Sequence, residues 1–122
     1  MTAANVVRVL VVEDSEDQAA LLRKYLERSG CTVTVVENAE DAMAAYLSSA
    51  PDLAVIDLLL PGMGGAELSE RLRADLPDCP IAITSVIDPA DFPRSHAKLP
   101  KPFTGDQVRE VLRAVVPGWR AA

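Results

Sequence analysis

Along this chain, runs of consecutive apolar residues alternate with stretches whose apolar residues recur at helical spacing. Residues 6–12 carry Val6, Val7, Val9, Leu10, Val11 and Val12 around a single arginine. So continuous a run predicts a strand buried on both faces, because a half-buried strand would alternate. Ser15, Glu16, Asp17 and Gln18 then form a capping-box pattern, Ala19, Leu22 and Leu26 share one helical face, and Gly30 stops the helix. A second strand is predicted over 31–36, followed by a helix that Asn38 caps, that carries Ala42, Ala45 and Tyr46, and that ends before Pro51. Residues 53–57 read as a third strand, which leads through a loop rich in Pro and Gly to a helix with Leu68 and Leu72 on one face. Residues 80–84 form the fourth strand. Last come a short stretch at 97–100 and a helix capped by Thr104, with Gln107 completing the box and Val108, Val111, Leu112 and Val115 facing inward.

Strands alternating with helices in this way predict a doubly wound α/β fold, with a parallel sheet covered on both faces by right-handed crossovers. A chain of 122 residues is one domain's worth, so a single domain over 1–122 is expected, with no room for an output domain. Composition acts mainly by exclusion. The chain is 49% hydrophobic with no apolar run near the roughly 20 residues of a membrane span, and the start at residues 1–5 lacks the basic and long apolar regions of an export signal. The expectation is a cytoplasmic protein with no membrane partner. A net charge of −6 opposes attraction to nucleic acid, so protein partners and small ions are expected instead. Cys31 and Cys79 form no metal-ligand pattern and read as small buried hydrophobes; Tyr25, Tyr46, Phe103 and Trp119 read as packing residues, and His96 as a solvated loop residue with no role.

Candidate chemistry collects where the carboxyl ends of parallel strands meet. Reading those ends in order gives Glu13 and Asp14, then Asp57, then Thr84, then Lys101. Clustered carboxylates without nearby His or Cys make a hard oxygen site that suits Mg²⁺ and not zinc. Asp57 directly follows an apolar strand, where a carboxylate must be solvated, paired or metal-bound. It is the candidate nucleophile for a phosphoryl group, with Lys101 supplying positive charge to the phosphoryl oxygens and Thr84 a hydroxyl.

These residues, together with the loop from Asp57 through Leu58, Leu59, Leu60, Pro61, Gly62, Met63 and Gly64 to Gly65, and with Lys101, Pro102 and Phe103, resemble the response regulator receiver domain over roughly residues 6–116. Each motif alone is weak; four at successive strand ends form a specific joint signal. The resemblance implies a flavodoxin-like sheet in the order 2-1-3-4-5, and Mg²⁺ held by Glu13 or Asp14, by Asp57 and by the Leu59 carbonyl. It also implies phosphoryl transfer to Asp57 from a histidine kinase or a histidine phosphotransfer protein, a cis Lys101–Pro102 bond, and signalling to a downstream protein. In that strand order the cysteines lie roughly 14 Å apart, too far for a disulfide.

The chain also departs from the family pattern. The interval from Thr84 to Lys101 is about one helical turn short, and Pro93 blocks continuation of a helix begun at Pro89, so the fourth crossover helix is expected to be shortened or irregular. Ser85 stands where Ala or Gly is usual, and Lys98 stands in place of a switch aromatic, with Phe92 the nearest ring in sequence; these three define the candidate switch region. The rival readings are weaker. A receiver-like binding module that works without phosphorylation would not need Asp57, Thr84 and Lys101 together. A dehalogenase-type phosphatase needs an acid where Leu59 stands, and a flavin carrier would place phosphate against Glu13 and Asp14.

Overall fold

The computed structural model describes residues 6–120; residues 1–5, read above for an export signal, and residues 121–122 lie outside the described set. Five parallel strands form one sheet, β1 (Arg8–Val12), β2 (Thr32–Val36), β3 (Leu53–Asp57), β4 (Ile81–Ser85) and β5 (Ala97–Pro100), in the order β2-β1-β3-β4-β5. Four helices connect and cover them, α1 (Glu16–Arg28), α2 (Ala39–Ser48), α3 (Gly65–Asp75) and α4 (Gly105–Val115). The expected fold and strand order are therefore present. Of the three interior strands, β3 and β4 are buried along their whole length, which is why their sequences are continuously apolar up to Asp57 and Thr84.

Two cores lie on opposite faces of the sheet. On one, α1 and α4 pack Leu22, Leu26, Val108 and Leu112 against Val9, Val11, Val55 and Leu99. On the other, α2 and α3 pack Ala42, Tyr46, Leu68 and Leu72 against Leu10, Val12, Ile56 and Ile83. The cysteines fall one in each core, both as free thiols, and burial pushes each up to about 11. Tyr46 is packed as expected but also donates its hydroxyl to Asp75 Oδ2 at 2.6 Å, tying α2 to α3.

Caps set the helix ends. Asn38 and Thr104 cap as predicted, and Thr104 with Gln107 forms the full reciprocal box. At α1 only the Ser15 half is made, its hydroxyl accepting from the Gln18 amide, and Gly30 leaves the helix with φ of +87°. After α4 the chain folds back so that Trp119 donates its indole N–H to the Ser29 carbonyl at 2.9 Å, fastening this segment to the end of α1.

Between β4 and β5 no α-helix forms. A single 3-10 turn, Pro89–Asp91, replaces it, with Asp88 as its cap. The shortened crossover predicted from Pro93 is thus present. Phe92 fills the space beneath it, buried against the α2 and α3 core, whereas Lys98 stays exposed. His96 does more than the sequence reading allowed: it is exposed, yet its Nδ1 accepts from the Ile81 amide and its own amide donates to the Ile81 carbonyl, pairing the entries of β4 and β5.

Candidate functional site

Glu13 and Asp14 follow directly on β1, Asp57 ends β3, Thr84 precedes the last residue of β4, and Lys101 comes just after β5. Because the strands are parallel, these positions converge on one rim of the sheet. The register sets Asp57 beside Thr84, and Thr84 beside Leu99. Carboxylate oxygens from Glu13, Asp14 and Asp57 lie within 4.8 Å of one another.

The acidic pair is divided by environment. Glu13 is buried and both of its oxygens are engaged: Oε1 accepts from the Lys101 ammonium at 2.6 Å and Oε2 from the Ser15 amide at 3.2 Å. Burial pushes its carboxyl above the usual carboxylate range; the Lys101 bond pulls the other way, and neighbouring Asp57 raises it again. Asp14 is exposed. Asp57 is buried, with Oδ1 accepting from the Leu59 amide at 3.2 Å and Oδ2 lying 3.5 Å from Lys101 Nζ. The lysine therefore rests mainly on Glu13, within reach of Asp57. Its peptide bond to Pro102 is cis, as the resemblance implied.

Thr84 carries a second signal. Among the described residues, its Oγ1 is the buried side-chain polar atom that has no hydrogen-bond partner. A buried hydroxyl left unpaired is costly, and such exceptions concentrate where a ligand supplies the missing partner. An oxygen-rich anionic cluster, a half-committed ammonium and a free hydroxyl together suit a divalent cation and a tetrahedral oxyanion.

One residue that shapes the site was not singled out from the sequence. Gly65 opens α3 and its amide donates to the Leu58 carbonyl; a Cβ there would lie 2.1 Å from the Asp57 carbonyl oxygen and 2.7 Å from Leu58 Cα. The helix start is thus pressed against the backbone of the candidate phosphoacceptor, and only glycine permits it. The signal available was the Gly64 and Gly65 pair at a predicted helix start. Around the mouth, Leu59 and Val86 are 57% and 70% exposed, while Leu58 and Leu60 turn partly into the core.

Comparison with known proteins agrees with this geometry. The sequence matches the response regulator receiver domain family over residues 9–113, and the chain belongs to that family. It is 36% identical over 116 residues to the transcriptional regulatory protein TcrA of Mycobacterium tuberculosis, covering 89% of this chain and 46% of that one. It is 35% identical over 84 residues to a cyclic di-GMP phosphodiesterase of Thermotoga maritima, covering 69% of this chain and 22% of the relative. A CheY-like response regulator receiver domain from Methylobacillus flagellatus superposes with a TM-score of 0.83 at 26% identity, over 91% of this chain and 99% of that one. The chain spans half or less of the length of the first curated relatives it matches. It is a response regulator receiver domain, a class of domain found in two-component signalling. No helix among the described residues is long and apolar enough to cross a membrane.

Proposed function

We propose that Asp57 accepts a phosphoryl group from a phosphohistidine presented by a histidine kinase or a histidine phosphotransfer protein, and that the modified domain signals by protein contacts. The observation that carries this is the unpartnered Thr84 hydroxyl beside Asp57, with the Lys101 ammonium at 3.5 Å from the same carboxylate. In the transfer, an Asp57 carboxylate oxygen bonds to phosphorus as the phosphorus–nitrogen bond breaks, and the imidazole leaves with a proton. Lys101 turns from Glu13 toward the phosphoryl oxygens, and Thr84 donates its hydroxyl to another. The donor set also fits Mg²⁺, which Asp14 and Asp57, with Glu13 and the Leu59 carbonyl, would hold. When bound, that ion supplies positive charge that offsets the clustered carboxylates and the incoming phosphoryl oxygens.

Incubation with Mg²⁺ and a small phosphoryl donor is expected to add one phosphoryl mass, absent in Asp57→Asn and Asp57→Ala. An adduct that persists in both variants would remove the assignment, whereas no adduct in the parent would favour a receiver-like module that binds its partner without phosphorylation. A histidine kinase partner places the domain in the cytoplasm. The net charge of −6 supports protein contacts over nucleic acid in this chain, although several longer relatives are named transcriptional regulators.

The phosphoryl group is expected to persist. The positions two beyond Asp57 and two beyond Thr84 are Leu59 and Val86, and exposed apolar side chains at the mouth neither hydrogen-bond nor orient an attacking water. Combining Leu59→Asn with Val86→Glu should shorten the half-life of the adduct roughly tenfold or more. An unchanged decay in the double variant would show that these two side chains do not set the lifetime.

A further inference from the structure

The two edges of the sheet are built differently. At one, β5 is four residues long, carries the exposed Lys98 and ends in Pro100, and charge and proline are what keep an edge strand from pairing with another chain. At the other, β2 is made of Thr32, Val33, Thr34, Val35 and Val36, all β-branched, with neither charge nor proline. Thr32 donates its amide to the Val7 carbonyl and the Val36 carbonyl accepts from the Glu13 amide, so the even positions of β2 face β1. Val33 and Val35 therefore turn N–H and C=O outward, and among the described residues nothing bonds to those groups. On the α2 side of this edge a hollow of about 290 Å³ opens between Thr34, Leu10 and the last turns of α2 at Ala45 and Ser48, leaving room beside Thr34.

The charges around β2 are segregated. Arg8 stands beside Thr32 in the register and Arg28 ends α1 just before the strand, whereas Glu37 follows Val36, and Glu40 and Asp41 lie in the first turn of α2. All five are exposed, and none is in an ion pair among the described residues. The edge is thus basic where the strand begins and acidic where it ends. A second copy laid antiparallel presents these ends reversed, basic against acidic. A parallel copy would set like charges together, which is unfavourable.

We infer that the β2 edge is a self-association surface, on which two copies of this chain pair β2 with β2, antiparallel about a two-fold axis at Thr34, and join their five-stranded sheets into one. In this register Val33 of each copy exchanges both of its backbone bonds with Val35 of the other, which uses every outward group of the two residues. Thr34 faces its counterpart as the closely spaced, non-hydrogen-bonded pair, and Cys31 faces Glu37. Thr34 is exposed in the single chain, and threonines directly opposite one another stabilise a strand pair. The two-fold contact closes on itself, so assembly stops at a dimer. Strand β1 separates β2 from the strand that ends in Asp57, and both candidate sites stay open. A contact of one strand with another lies at the small end of specific interfaces, so the dimer is transient and forms as concentration rises.

The test is amide exchange together with sedimentation velocity on the 122-residue chain, from micromolar to millimolar concentration. Val33 and Val35 should exchange freely when dilute and slow about tenfold once the free chain stands at about ten times the dissociation constant, while Ala97 and Leu99 on the β5 edge are unaltered. Thr34→Lys and Thr34→Glu should each stay monomeric, because like charges then face across the axis, and mixing the two should restore a heterodimer. A parent that is monomeric at millimolar concentration, or a dimer that leaves Val33 and Val35 unprotected, would overturn the proposal. So would single variants that dimerise as tightly as the parent, or a mixture of folded variants that stays monomeric. Should either variant fail to fold, exchange at Val33 and Val35 in the parent decides alone.

Discussion

Gly65→Ala is expected to cost about 3 kcal/mol of stability, toward the upper end for overpacked sites, and to lower the melting temperature by roughly 10 °C. The added Cβ would meet backbone, the Asp57 carbonyl oxygen at 2.1 Å and Leu58 Cα at 2.7 Å, so no side-chain rotation can relieve the overlap. Either α3 retreats from the end of β3 or β3 bends. Both displace Asp57 from its register with Thr84, so the variant that survives should also phosphorylate slowly. Gly64→Ala supplies the control. Its Cβ would come no closer than 3.9 Å to the Leu58 carbonyl and its φ is −69°, so it should melt close to the parent. Thermal melts of both variants decide the matter; equal melting temperatures would mean that the close approach of α3 is not a requirement.

Lys101→Met is the second large effect. It removes the ammonium that lies 2.6 Å from Glu13 and 3.5 Å from Asp57, leaving two buried carboxylates side by side. Breaking a buried ion pair from one side costs roughly 3 kcal/mol or more. The sign of its pH dependence follows from Glu13. Burial already holds that carboxyl above the usual range, so its protonated form is favoured by folding and its ionised form is not. Loss of Lys101 raises it further. The deficit is therefore greatest at alkaline pH and shrinks as the pH falls through the raised value. Urea titrations near neutral-to-alkaline and mildly acidic pH would show the two midpoints converging on the acid side, and added Mg²⁺ should narrow the gap on the alkaline side. Midpoints equal throughout would mean that the carboxylates do not depend on the ammonium.

Much of this architecture was legible because β1, β3 and β5 each run into charged residues that an apolar strand cannot explain. Asp57 after four apolar residues, and Lys101 after a stretch containing Pro100, mark the same rim, and alternation of strand and helix brings such marks together. The proline arithmetic around Pro89 and Pro93 likewise foretold the lone turn. Other features depend on distances the sequence does not encode. Lys101 reaches Glu13 across 88 positions, and which member of the acidic pair receives it is settled only by the burial of Glu13 and exposure of Asp14. Gly65 is only the last residue of a motif loop in the sequence, and the room it leaves for the Asp57 carbonyl is visible only in the fold. His96 reads as a loop residue because nothing local shows that β5 brings its ring to the Ile81 amide. Phe92 was identifiable as a ring near the switch region, but its burial follows from the missing helix, which leaves the sheet face for it to cover.

The bond from Trp119 to the Ser29 carbonyl places the chain's single indole at the end of α1, next to the start of β2, whereas Asp57 lies at the opposite pole of the sheet. Its emission is consequently an optical gauge of whether α1 and α4 remain assembled, and it is blind by position to the ionic traffic at Asp57. Fluorescence and phosphorylation can thus be followed in one cuvette as separate channels, one for integrity and one for state.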